Sequence, residues 1–179
     1  MKILNRLLLG VSLALVCVWR GQTQDLSGLK KAFADVQVDG AAETRVRFFR
    51  EFPSSFNTFQ RVFGFDDVKG EAPLFSTSEK YISAFFVSVI AVRQDQAINK
   101  LISISKNGHW DADAVNYFQK GLRKFYSERP GEFVSILRTK SVDDISGFWY
   151  FFLDEPHFNK KLYNQTVKSL GDLTHLKNI

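Results

Sequence analysis

A chain of 179 residues that is 45% hydrophobic and 24% charged can bury a substantial core as one domain, and its composition excludes both a disordered and a fibrous protein. It carries 24 basic and 19 acidic residues, a formal charge of +5, and one cysteine, which excludes a disulfide framework and a multi-thiolate metal site. The 18 phenylalanines supply large, rigid apolar side chains for a dense core instead.

At the start of the chain Lys2 and Arg6 precede the apolar run Leu7–Val18, and the polar stretch after it offers the small residues Gly21 and Thr23. This is the pattern of a signal peptide over 1–24, with a mature domain over 25–179. The run is shorter than the roughly 20 apolar residues of a membrane-spanning helix, and no later run is longer, so no transmembrane segment is expected in the mature chain. Export to the periplasm or beyond the cell is the expected localisation. A lipid anchor on Cys17 is disfavoured because Val16 stands where a lipidation site carries a small residue. Loss of Lys2, Arg6 and Arg20 on cleavage would reduce the 24 basic residues to 21 against 19 acids, a net charge of +2. No clustered basic face for nucleic acid follows from that balance, and Lys30-Lys31 and Lys160-Lys161 read as solvated helix faces.

From Asp25 to Gly40 the spacing of Leu26, Leu29, Phe33 and Val36 predicts a short first helix. Phe48, Phe52, Phe56, Phe59 and Phe63 continue at steps of three and four, the stripe of helices facing a core. Pro53 divides this stripe into helices over 41–51 and 54–63, the second capped by Ser54 or Ser55 and stopped at Gly64. Phe65–Phe75 contains Gly70, Pro73 and acids without periodicity and reads as the longest internal loop. Ser76 and Glu79 then have capping-box spacing, before a helix whose Tyr81, Ile82, Phe85, Phe86, Val89 and Ile90 cover its inner side.

Gln94–Ser105 keeps the helical spacing, with a strand over Leu101–Ser105 as the alternative, and Asn107-Gly108 provides a left-handed stop. Asp111 is placed to cap a helix over 112–127, with Trp110 and Val115 at the spacing of a hydrophobic staple. Pro130 starts a helix to Lys140, Ser141 with Asp144 opens another over 142–153, and a last helix ends at Gly171. The helix over 142–153 is apolar nearly all round, at Ile145, Phe148, Trp149, Tyr150, Phe151, Phe152 and Leu153, which predicts a central place in the core rather than an aromatic active-site wall. About eight helices joined by short turns give an all-α fold, a compact multi-helix bundle or a short array, since each amphipathic stripe must bury against another helix.

Two polar clusters are candidate chemical sites. Asp154, Glu155 and His157 follow the aromatic helix, where two carboxylates and an imidazole have the makings of acid–base work. His109, Asp111 and Asp113 alternate in a way that would converge on a metal ion if the stretch were extended. No nucleotide, Rossmann, zinc-helix or nucleophile-elbow pattern occurs, so no cofactor is expected. The third candidate is the loop, where Phe65, Asp66, Asp67 and Glu71 combine an aromatic anchor with acids, a mixture suited to a basic patch on a protein partner. The reading that joins these points is an exported, non-enzymatic α-helical protein-binding module, of which an inhibitor or toxin-neutralising protein is one type. A small envelope hydrolase acting through Asp154, Glu155 and His157, and a structural accessory of a membrane complex, are the alternatives.

Overall fold

The computed structural model describes residues 26–157 and 159–175, with side chains described as far as Lys168. The expected signal peptide and Cys17 lie outside the described residues. Among the described residues the chain is all-α apart from one small hairpin. In chain order the helices are α1 (Leu26–Val38), α2 (Ala42–Glu51), α3 (Phe56–Phe63), α4 (Ser78–Ser88), α5 (Gln94–Ser105), α6 (Asp113–Glu128), α7 (Pro130–Leu137), α8 (Val142–Leu153) and α9 (Lys160–His175). None of them is long and apolar enough to cross a membrane.

The phenylalanine stripe does what its spacing predicts. Phe48 and Phe52 from the α2 end, and Phe59 and Phe63 from α3, are at most 1% exposed and meet Phe85 of α4 and Phe118 of α6. Phe52 stacks on Phe85 at 4.0 Å between ring centroids. A second aromatic group joins α6, α7 and α8, where Tyr126 meets Phe133 and Phe152, and Phe148 packs on both of those rings. Phe151 of α8 bridges the two groups through Phe118 and Phe56. α4 packs against α1, α2 and α6, while α5 and α6 pack on α8.

The break at Pro53 is closed from α5. Lys100 Nζ donates to the carbonyls of Phe49 (2.5 Å) and Arg50 (3.2 Å), which the end of α2 leaves without helical partners. The ammonium also stands 4.9 Å from the Phe49 ring centroid, a cation–π contact. Burial pushes its pKa down to about 8, against the pull of Glu51. Ser103 Oγ donates to the Ser54 carbonyl at 2.8 Å, and Ser55 caps α3 by accepting from Thr58 N–H.

Several local expectations are met and others corrected. α5 keeps the expected helix through Leu101–Ser105 and excludes the strand alternative, with Leu101, Ile102 and Ile104 buried and Ser105 Oγ satisfied by the Leu101 carbonyl. Ser76 caps nothing: buried Leu74 draws the chain into a 3-10 turn at Phe75–Thr77, and α4 starts only at Ser78. At its other end α4 tightens into a 3-10 turn, Val89–Ala91, and Ile90, expected on the inner side, is 63% exposed. The expected left-handed stop at Asn107-Gly108 is made by Asn107, with φ 60°. Gly108 is required for a different reason, because a Cβ there would clash with the buried Phe151 ring. α7 ends at Leu137 in successive tight turns, and α9 runs through Gly171 to His175. α8 is not buried all round, since Tyr150, about 200° from Phe148 around the helix, is 63% exposed.

Candidate functional site

Asp154 and Glu155 follow the last turn of α8, where the helix carbonyls lack partners and a carboxylate faces the negative end of the dipole. α6 supplies what compensates. Gln119 Nε2 donates to the carbonyls of Phe151 (2.7 Å) and Asp154 (2.8 Å), and Arg123 Nε donates to that of Phe152 at 2.9 Å. Arg123 also forms an ion pair with Glu155, and its guanidinium lies over the Phe152 ring. Burial pushes the Arg123 pKa down, while Glu155 and Asp154 oppose the shift. Asp154 Oδ2 accepts from Trp110 N–H at 2.5 Å, tying the turn before α6 to the end of α8. His157 is exposed beyond this group. Both carboxylates are therefore engaged in holding α8 to α6. Gln119 and Arg123 were invisible as partners in the sequence, although their spacing of four on one helix face is the one feature that pairs them.

The second cluster is spread out. Asp111 does not cap α6, whose N-cap is Ala112 without a side-chain bond; Asp111 Oδ2 instead accepts from Gln60 Nε2 of α3 at 2.7 Å. Asp113 sits exposed in the first turn of α6, where the dipole favours it. His109 is exposed and meets the Phe56 ring edge-on at 5.0 Å. Among the described residues no group of three or more His, Cys, Asp or Glu side chains is placed to hold a metal ion.

The expected loop is an ordered hairpin, because its own side chains close it. Strand β1 (Phe65–Asp66) pairs antiparallel with β2 (Gly70–Glu71), and Gly70 takes φ 81°. Asp66 Oδ1 accepts from Lys69 N–H (2.8 Å) and Val68 N–H (2.9 Å), bonds that hold its carboxyl below the usual range. Ala72 N–H donates to the Gly64 carbonyl and Leu74 N–H to that of Val62, anchoring the hairpin base to α3. Phe65 and Phe75 rest on each other at 5.7 Å, leaving Phe65 44% and Val68 92% exposed. Asp67 and Glu71 are exposed as well.

Between the hairpin and the turn before α6 lies a cleft of ≈ 470 Å³, lined in part by Phe65, Asp66, Glu71, Gln60, His109 and Asp111. It brings residues of the loop and of the alternating His–Asp stretch to one place. Arg61 and Lys69 lie at the same cleft, so its charge is mixed. Its walls offer hydrogen-bonding and charged groups around Phe56 and Phe65. No known protein family, curated protein or solved structure compared with the chain matches it.

Proposed function

We propose that the protein is an exported, non-enzymatic binding module whose partner-facing surface is the acidic hairpin and the cleft beside it. The observation that carries this reading is the hairpin's order. Its turn is closed by Asp66 and its base by backbone bonds to α3, so Val68, Asp67 and Glu71 are presented to solvent in fixed positions. A surface fixed in advance loses less conformational entropy on binding than a flexible connector would. The hydrolase reading draws no support from the end of α8, where Asp154 and Glu155 are occupied by Trp110 and Arg123.

Capture of partners from the native envelope by the mature protein, read by mass spectrometry, tests the proposal. Asp67→Lys with Glu71→Lys is the variant to use, because Asp66 is needed to form the turn. One stoichiometric partner, lost in that double variant while its circular dichroism and melting are unchanged, supports the reading. Capture that is indifferent to the two charge reversals refutes it.

A further inference from the structure

The outer side of α4 separates two adjoining cavities, and Ser83 and Val87 line both. The smaller, ≈ 380 Å³, lies among α1, α2 and α4 and receives two cations, Arg45 and Lys80, with Val36 and Ala84 as apolar wall. No carboxylate lines it among the described residues. Neither cation makes an ion pair or side-chain hydrogen bond among the described residues, although the Arg45 Nε atom itself is buried away from solvent. Two cations facing one cavity without an acid between them attract an anion, and a carboxylate matches the guanidinium fork best.

The larger cavity, ≈ 570 Å³, lies between α4 and α6 and is floored by Ile82, Phe86 and Phe125, with Ile90 at its rim. Phe86 rests against the α6 backbone at Gly121, where any Cβ would clash with its ring. That glycine keeps the floor open, at a helix-propensity cost of about 1 kcal/mol. The charges around this groove balance, with Lys120 and Lys124 set against Glu79 and Glu128. An anion is therefore drawn to the Arg45 end, and an apolar body to the groove.

We propose that the two cavities form one binding site for a free, single-chain carboxylate amphiphile. Its headgroup lies at Arg45 and Lys80, and its chain passes Val87 to lie over Phe86 and Ile90. From Ser83 to Ile90 the site runs about 10 Å along α4, at 1.5 Å per residue, which suits a medium-length chain. Both cavities are half-open grooves between helices.

Titration calorimetry with decanoate below its micelle concentration tests this, with decanol and decyltrimethylammonium as neutral and cationic probes. One saturable site per chain is expected, with the neutral and cationic probes at least about tenfold weaker, or about 1.4 kcal/mol. Arg45→Gln, Lys80→Gln and Ile90→Asp are each expected to weaken decanoate by a similar factor, while the hairpin variant Asp67→Lys with Glu71→Lys binds it unchanged. One arginine and one lysine variant are included so that a folding failure in one, seen in its melting curve, leaves the other readable. Absence of saturable heat, equal affinity for the cationic probe, or unchanged decanoate affinity in both Arg45→Gln and Lys80→Gln overturns the proposal. So does flotation with phosphatidylglycerol vesicles combined with no binding of monomeric decanoate.

Discussion

Arg123 on α6 and Arg45 on α2 are both partly buried guanidinium groups, and the molecule treats them in opposite ways. Arg123 reaches the Phe152 carbonyl, pairs with Glu155 and lies over the Phe152 ring, while neighbouring Gln119 takes two further carbonyls of the same helix end. Arg45 lines a cavity with Lys80, has a buried Nε without a partner, and faces no acid across that cavity. A cation whose donors are met within the fold contributes to stability. One that lines a cavity without an ion pair is left to meet an anion from outside the chain. The same contrast separates the acids: Asp154 and Glu155 are bound to α6 and the turn before it, whereas Asp67 and Glu71 of the hairpin are presented to solvent.

The largest effect that sharpens this contrast comes from the aromatic bridge beneath the Arg123 region. Phe151→Ala is expected to cost about 3 to 5 kcal/mol in urea unfolding, because Phe151 is fully buried between Phe56 and Phe118. A third buried cation gives a pH-dependent test. Lys100 has a pKa of about 8 in the fold against 10.5 when unfolded, with burial as the main cause. Between those values the unfolded chain binds more protons, so stability rises with pH and levels above about 10.5. The rise is expected to reach no more than about 3 kcal/mol, and to be missing when the same unfolding series is run on Lys100→Met.

Arg123→Gln is expected to lose about 2 kcal/mol, since it leaves Glu155 and a helix-end carbonyl without their donor. Gly108→Ala follows at about 1 to 2 kcal/mol, because the new methyl group meets the Phe151 ring and one of the two must shift. Thermal melts of the two variants suffice to order them.

Helix positions were legible because they rest on local chemistry. The three-and-four spacing of Phe48 to Phe63, the break at Pro53, the Ser55 and Ser141 caps and the start at Pro130 all act within a few residues. What failed were caps whose side chains found distant partners or whose helix began elsewhere. Asp111 had a cap's spacing, but Gln60, 51 residues earlier in the chain, holds it at 2.7 Å. Ser76 had a capping box's spacing, but burial of Leu74 moved the start of α4 beyond it. The hairpin was hidden in what read as a loop because its turn is made by the Asp66 side chain, which leaves no periodic mark.

The chemical clusters were legible as residues but not as roles. Asp154 and Glu155 were visible beyond α8, yet the Arg123 that engages Glu155 lies 32 residues earlier and nothing in the local sequence pairs them. The cavities on α4 left no trace, because they depend on which helical residues the fold leaves uncovered. Ile90 read as core by its spacing and is a rim residue because no other element among the described residues covers the groove it lines with Ile82 and Phe86.

The division between structural and available cations is tested most directly by urea unfolding of Arg45→Gln and Arg123→Gln, measured side by side with the parent protein. Arg45→Gln is expected to stay within about 0.5 kcal/mol of the parent while Arg123→Gln falls well below it. Equal losses in the two variants would show that Arg45 holds the fold together no less than Arg123 does, and would contradict the account.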